Sequence, residues 1–238
     1  MRLASFNIKN GLADDGSCDP DALVGACRGL RADVLALQEV DRDVPRSNRA
    51  DQTAIVAARC GLTGLYAPAR GLDGGEYGNA LLVRGSIADV EHVRLPVMPG
   101  NEARAVVVAC VEVDGVALSV AATHLQNRHG GPPPKPKDAA EQLEQLDVVL
   151  AGLARRPRPR VLLGDLNMPP EVAVPALEAA GYEVADSEPT VVVGAPKFRI
   201  DYVAVDGLAV GASEVHDTDV SDHRALIVEV ALPDGEVE

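Results

Sequence analysis

The chain alternates short apolar segments, typical of buried strands, with amphipathic helices, and this alternation occurs in both halves of the sequence. Asp19-Pro20 supplies an N-cap and a first-turn proline for one helix, and Gly61 is placed to end a second. Because each face of a sheet must be covered, this layout predicts two packed sheets flanked by helices. The predicted elements are strand 3–8, a helix from 19, strand 34–37, helix 51–60, strand 161–163, helix 171–180, strand 200–205 and strand 225–230, together with an amphipathic helix that contains Leu143, Leu146, Val149, Leu150 and Leu153.

The middle of the chain predicts an antiparallel meander. Strand-like segments at 79–83, 105–113 and 116–122 follow one another, and Asp114-Gly115 between the last two is a strong hairpin signal. The Gly- and Pro-rich segment 130–136 cannot sustain a helix or a central strand, and we expect a surface loop there. At 238 residues, one domain covering 1–238 is the default.

The charge balance argues against a general DNA-binding enzyme. The net charge is -14, with a pI near 4.7, whereas duplex DNA binding depends on neutralising phosphates with Lys and Arg. A local basic patch could still exist. The dense basic run at 155–160 follows a predicted helix, where cations suit the carboxyl end of the dipole, so we expect a solvated helix end there.

The four cysteines are scattered along the chain, with no CxxC pair and no neighbouring histidine at zinc-like spacing. We therefore expect reduced thiols and a cytoplasmic protein. The first residues lack the long apolar region of a signal peptide, and no later stretch approaches the length of a membrane span. A monomer is expected.

Polar side chains mark the ends of almost all the predicted strands. Any one of them, taken alone, is more often a turn former or a helix cap. Carboxylate and amide oxygens are hard ligands suited to Mg²⁺, with Mn²⁺ as the alternative, and two imidazoles beside them can stabilise or protonate phosphoryl oxygens. Together the set can meet the needs of phosphate-ester hydrolysis. Its members are Asn7, Glu39, His124, Asp165 with Asn167, Asp201, and Asp222 with His223.

Seven short motifs containing these residues follow one another along nearly the whole chain, and in that order the chain resembles the endonuclease/exonuclease/phosphatase superfamily. Each motif is weak alone, but the ordered set is specific. The resemblance implies a four-layer α/β sandwich of the DNase I type with two mixed, mostly antiparallel sheets. The motifs are Ser5-Phe6-Asn7-Ile8, Leu37-Gln38-Glu39-Val40, Gly78-Asn79-Ala80-Leu81-Leu82, Thr123-His124-Leu125, Gly164-Asp165-Leu166-Asn167, Ile200-Asp201-Tyr202 and Ser221-Asp222-His223.

The resemblance also implies roles for the residues near the metal and the water. Glu39 would chiefly hold the metal, with Asn7 and Asp222 near it. Asp165 would orient or deprotonate the attacking water, and Asn167 would hold that water or a phosphoryl oxygen. Members of the family have been interpreted with different general bases and with one or two metals, so both points stay open.

The two motif histidines are implied to contact the phosphate. Asp201 would pair with His223, fixing its tautomer and favouring its charged form. His124 would donate to a non-bridging oxygen. His92, His129 and His216 match no motif and are expected on the surface or in loops.

Asn79 and Arg104 are candidate substrate-binding residues of a second rank. In the resembling family the motif of Asn79 faces the phosphate or supports the first histidine, but an inward amide bonded to backbone is an equal alternative. Arg104 could clamp a phosphate, since an arginine fork matches phosphate oxygens. A surface ion pair of Arg104 with Glu102 or another acid is nearly as well supported.

The leading hypothesis is therefore a Mg²⁺-dependent phosphodiesterase or phosphatase acting on a small or lipid-like phosphate ester. A DNA or RNA nuclease of the same family is the main alternative, because an acidic protein can still carry a basic stripe. The alternative from another class is a catalytically silent binding module. That module would be expected to lack metal or histidine positions, whereas all seven motifs are present.

Overall fold

The computed structural model describes residues 1–12, 16–127, 133, 135, 138–191 and 197–232. His129 and all but two residues of the predicted loop at 130–136 lie outside this part of the chain. Among the described residues, no helix is both long enough and apolar enough to cross a membrane. Cys18, Cys27, Cys60 and Cys110 are all free thiols.

Within the described ranges, twelve strands form two six-stranded sheets. In chain order they are β1 (Arg2–Asn7), β2 (Val34–Arg42), β3 (Thr63–Leu72), β4 (Gly75–Val83), β5 (Ser86–Arg94), β6 (Ala105–Val113), β7 (Val116–His124), β8 (Arg160–Asp165), β9 (Glu183–Val184), β10 (Asp201–Asp206), β11 (Ala209–His216) and β12 (Ala225–Ala231). The first sheet has the order β11-β12-β1-β2-β4-β3 and the second the order β5-β6-β7-β8-β10-β9. Only the β1–β2 and β7–β8 pairs are parallel among these strands.

Four α-helices accompany the sheets in the described part of the chain, and their ends follow the expected signals. Asp19 caps α1 by accepting from the backbone N–H of Asp21, and Asp51 caps α2 in the same way through Ala54. Gly61 ends α2 with a φ of 70°, a left-handed conformation that glycine adopts without strain. The helices are α1 (Pro20–Gly29), α2 (Gln52–Cys60), α3 (Ala140–Ala154) and α4 (Pro170–Ala179).

Three apolar cores separate four layers. Between the sheets, Val34 and Leu81 of the first sheet pack with Val107 and Val203 of the second. The helices α1 and α2 bury Leu23 and Val56, among others, on the outer face of the first sheet, and α3 and α4 cover the outer face of the second. The order helix, sheet, sheet, helix confirms the predicted four-layer α/β sandwich.

The proposed pattern of polar strand ends needs a correction at three places. Glu39 lies inside β2, which continues to Arg42. Asp201 opens β10 instead of ending a strand, and the Asp222-His223 pair precedes β12. Asp201, Asp222 and His223 still lie beside the ends of β1 and β8, where the other motif residues are. The reason is that β12 runs antiparallel to β1 and β10 runs antiparallel to β8, so that each begins where its neighbour ends.

Candidate active site

Strand pairing brings the motif residues of each sheet to one edge. In the first sheet, the parallel β1 and β2 place Asn7 opposite Gln38, next to Glu39. In the second, the parallel β7 and β8 place His124 opposite Asp165. The antiparallel β10 adds Asp201, also opposite Asp165. Hydrogen bonds then join the edges of the two sheets into one cluster.

Glu39 reaches the cluster through a β-bulge. The register between β2 and β4 shifts between Leu37 and Val40, and Glu39 has a φ of 57°, in the left-handed region. An extra residue of this kind bends the strand and redirects a side chain. The half-buried carboxylate of Glu39 accepts a hydrogen bond from Asn7 Nδ2 at 3.2 Å.

Asn7 joins the two sheets. Its Nδ2 also donates to Asp165 Oδ2 at 3.1 Å, while its Oδ1 accepts from the backbone N–H of Lys9 at 3.0 Å. The hydroxyl of Ser221 donates to the backbone carbonyl of Asn7 at 2.6 Å, which ties the segment before β12 to the end of β1. Asn7 therefore connects Glu39, Asp165 and the segment that contains Ser221, just before β12.

Asp165 is buried at the end of β8 and held in a fixed orientation. Its Oδ1 accepts from the backbone N–H of Asn167 at 2.9 Å, and Asn167 adopts a φ of 50°. The Nδ2 of Asn167 donates to the carbonyl of Leu125 at 3.1 Å. Burial, together with the charge of Asp201, raises the pKa of Asp165 above its usual range, although His223 and the Asn7 amide act in the opposite direction.

His223 faces two carboxylates. Its Nδ1 donates to Asp201 Oδ2 at 2.9 Å, and its Nε2 lies 3.9 Å from Asp165 Oδ2. The Ser221 hydroxyl accepts from the backbone N–H of His223 at 3.1 Å. Burial alone lowers the pKa of His223, but the Asp201 carboxylate, followed by Asp165 and Asp222, raises it to about 10. These carboxylates therefore favour the charged form of the ring.

His124 has the opposite environment. Its Nε2 lies 3.5 Å from Asp165 Oδ2, but its Nδ1 lies 3.0 Å from a guanidinium nitrogen of Arg104. Burial, then the charges of Arg104 and His223, lowers the pKa of His124 well below its usual range. The surroundings thus favour the charged form of His223 and the neutral form of His124.

The two second-rank candidates are both buried. Asn79 Nδ2 donates to the carbonyl of Ala105 at 3.0 Å, which matches the alternative of an inward amide bonded to backbone. The Arg104 side chain is only 2% exposed and lies 3.5 Å from Glu102 Oε2. Phosphate contacts of Asn79 and Arg104 stay predictions.

The remaining described histidines lie away from the cluster. His92 is on β5 and His216 is on β11, the outermost strands of the second and the first sheet. Lys9 was not among the predicted residues, and its Nζ lies 3.3 Å from Asp222 Oδ2. Its only signal was its position two residues after Asn7, which is too weak to single out a lysine.

The donor atoms of the cluster fit a hard divalent cation. Asp165, Asp201 and His223 each offer a ligand atom, and these atoms lie within 4.8 Å of one another. Asp201 Oδ1 is buried and accepts no hydrogen bond from any described residue. Nδ1 of His223, however, already donates a hydrogen bond to Asp201, so it does not offer a lone pair to a metal. Oxygen ligands are therefore favoured, such as the half-buried carboxylates of Glu39 and Asp222.

Sequence comparison relates the chain to a large family. The model described as Endonuclease/Exonuclease/phosphatase family matches residues 4–223, a range that contains every side chain of the cluster. Two UPF0294 proteins, from two strains of Vibrio vulnificus, are 33% identical over 128 residues, which are 50% of this chain and 42% of each relative. The match therefore spans less than half of the length of these curated relatives.

Solved structures share the fold. An endonuclease/exonuclease/phosphatase from Beutenbergia cavernae superposes with a TM-score of 0.76 and 27% identity, covering 100% of this chain and 73% of that one. ANGEL2, a 2′,3′-cyclic phosphatase, superposes with a TM-score of 0.72 and 17% identity, covering 97% and 95% of the two chains. The second likeness concerns the fold alone.

Proposed function

The chain belongs to the endonuclease/exonuclease/phosphatase family, and from this premise we propose that it is a Mg²⁺-dependent hydrolase that cleaves a phosphate ester by in-line attack of an activated water. The observation that carries the proposal is the environment of Asp165. Its Oδ2 lies 3.1 Å from Asn7 Nδ2, 3.5 Å from His124 Nε2 and 3.9 Å from His223 Nε2. A buried carboxylate among three nitrogen atoms suits the control of a water beside a phosphate.

In this proposal Asp165 orients the attacking water and accepts its proton. The raised pKa of Asp165 makes its carboxylate a better proton acceptor than an ordinary aspartate. Its hydrogen bond from the backbone of Asn167 fixes one oxygen and leaves Oδ2 directed toward the cluster. Asn167 holds the water or a phosphoryl oxygen.

The two histidines act as hydrogen-bond donors with different charges. His223, held by Asp201, contributes a positive charge beside the phosphoryl oxygens, where negative charge accumulates in the transition state. His124 contributes a neutral donor to a non-bridging oxygen. Both rings are positioned before substrate binds, so little reorganisation is needed during the reaction.

Glu39 would be the principal metal ligand, with Asn7 and Asp222 beside it. A Mg²⁺ ion held by these residues would neutralise charge on the phosphoryl oxygens. Asn7 bridges Glu39 and Asp165, so it would keep the metal ligand and the water-orienting carboxylate at a constant separation. Mn²⁺ has the same preference for oxygen ligands and is expected to substitute.

The proposed substrate is a small or lipid-like phosphate ester. The net charge of -14 supports this preference over duplex DNA. The fold likeness to ANGEL2, a 2′,3′-cyclic phosphatase, makes cyclic phosphates a class worth including in a screen. The expectations of a single catalytic domain, a monomer and a cytoplasmic location also stay predictions.

Hydrolysis of bis-p-nitrophenyl phosphate and p-nitrophenyl phosphate tests the proposal. We expect turnover in Mg²⁺ or Mn²⁺ that a chelator abolishes, and the ratio of the two rates separates diesterase from monoesterase. A complete lack of turnover with both compounds and both metals would favour the silent binding module. A second screen, at fixed salt, compares single- and double-stranded nucleic acids, cyclic nucleotides, inositol phosphates and phospholipids, and preference for a nucleic acid would favour the nuclease alternative.

A further inference from the structure

Arg104 and His124 make a hydrogen bond whose direction is determined by chemistry. The Nη1 of Arg104 lies 3.0 Å from Nδ1 of His124, and both residues are only 2% exposed. A guanidinium stays protonated and has five N–H donors but no acceptor. Arg104 must therefore donate, and Nδ1 of His124 must be the unprotonated acceptor.

We propose that Arg104 is a positioning residue that fixes His124 as the neutral tautomer protonated on Nε2. The catalytic value of this tautomer rests on the proposed function, whereas the tautomer itself does not. His124 then works as a hydrogen-bond donor through Nε2 and not as a cation. This role differs from a phosphate clamp, because it acts through the histidine.

The backbone around Arg104 is held in place. Arg104 directly precedes β6, whose register with β7 pairs Val106 with Thr123 and so brings Arg104 near His124. The carbonyl of Ala105 accepts from Asn79 Nδ2 at 3.0 Å and from the Thr123 hydroxyl at 3.2 Å. Asn79 thus stabilises the backbone beside both members of the pair.

The other ring nitrogen of His124, Nε2, is directed toward Asp165. Nε2 lies 3.5 Å from Asp165 Oδ2, at the outer limit of a hydrogen bond. His223 offers the contrast, since its Nδ1 donates to the Asp201 carboxylate, whose negative charge favours the protonated ring. A cationic partner on one ring and an anionic partner on the other favour different protonation states for the two histidines.

The tautomer can be measured directly in the metal-free protein by long-range ¹H–¹⁵N correlation of its five histidine rings, with His124 assigned by its absence in His124→Gln. Arg104→Met removes the donor. Arg70→Met is the matched control, because Arg70 also pairs with Glu102, at 2.8 Å, but makes no hydrogen bond to His124 among the described residues. Arg104→Lys keeps a donor and tests rescue.

We expect the wild-type protein and Arg70→Met to show His124 protonated on Nε2 and unprotonated on Nδ1. Arg104→Met should lose this preference, and its kcat should fall about tenfold with KM nearly constant, since one buried hydrogen bond to a charged group is lost. Arg104→Lys should restore part of both readouts.

A wild-type His124 protonated on Nδ1 would overturn the proposal, and so would an unchanged Nε2–H tautomer in Arg104→Met. The wild-type spectrum decides the first point even where Arg104→Met does not fold. Absence of turnover in the wild-type protein would instead reject the proposed function and leave the tautomer result standing.

Discussion

Nδ1 of His223 lies 2.9 Å from Oδ2 of Asp201, a contact between a ring that is 11% exposed and a carboxylate that is fully buried. Because a carboxylate accepts hydrogen bonds, this partner favours the protonated ring and raises its pKa to about 10 despite the opposing effect of burial. The carboxylate therefore favours the positively charged form of the His223 ring, although the ion pair as a whole is neutral. That charge has a measurable consequence for the dependence of activity on pH.

Replacing Asp201 with asparagine should move the alkaline limb of the pH profile to lower pH. In the proposed mechanism the active form carries the proton on His223, so activity should fall as pH rises through the pKa of that ring. Without the carboxylate that pKa drops, and the alkaline limb of kcat/KM should shift down by about one pH unit or more. The measurement is kcat/KM for a p-nitrophenyl ester between neutral and alkaline pH.

Asp206→Asn is the control for this shift. Asp206 is a buried carboxylate on the same strand, but it lies at the far end of β10 and pairs with Arg158 and Arg160. Its replacement should leave the alkaline limb in place. An Asp201→Asn profile that coincides with the wild-type profile would show that His223 does not act as a cation.

Replacing Glu39 with glutamine should weaken the response to Mg²⁺. The substitution keeps the size of the side chain in its bulge but removes the negative charge of the principal proposed ligand. The Mg²⁺ concentration for half-maximal activity should rise about tenfold or more. Glu76→Gln is the control, since Glu76 pairs with Arg42 on the neighbouring strands. If both variants reach half-maximal activity at the same Mg²⁺ concentration, Glu39 is not the principal metal ligand.

Replacing Gly164 with alanine should damage both stability and turnover, although Gly164 has no reactive group. A Cβ at this position would lie 2.3 Å from the backbone oxygen of Thr123 on β7, so β7 and β8 must separate. Unfolding by denaturant should show a loss of about 2 kcal/mol, and kcat should fall because Asp165 moves relative to His124.

Gly25→Ala is the matched control for Gly164→Ala. Gly25 lies on α1, and a Cβ there meets no atom within 4 Å. That change should raise the free energy of unfolding by about 0.5–1 kcal/mol, because alanine favours the helix, and should leave kcat unchanged. Equal stability of Gly164→Ala and the wild-type protein would contradict the close strand approach.

The sequence predicted the parts of the fold that local chemistry determines. Asp114-Gly115 joins β6 and β7, and Gly61 ends α2, as expected. Strand β11 was not predicted, because it lies at the edge of its sheet and most of its side chains are exposed, which removes the apolar alternation of an inner strand. The bulge at Glu39 was also missed, since it depends on pairing with β4.

Within the site, the motif residues lie together in the structure, but the motifs did not reveal the hydrogen bonds among them, and their catalytic roles stay predictions. The His223–Asp201 pair was implied by the resemblance and is present. The Arg104–His124 contact could not be predicted, because it depends on the register of β6 against β7 and on burial of the arginine. Arginines are rarely buried, so an exposed clamp or ion pair was the natural expectation.

The most direct measurement of the central claim is the rate of p-nitrophenolate release from bis-p-nitrophenyl phosphate by the wild-type protein and by Asp165→Asn. The wild-type rate should disappear with a chelator and return with Mg²⁺. Asp165→Asn keeps the shape of the side chain but cannot accept the proton of the water, so its kcat should be lower by about 1,000-fold. Equal rates for the two proteins, or a wild-type rate that the chelator does not change, would contradict the account.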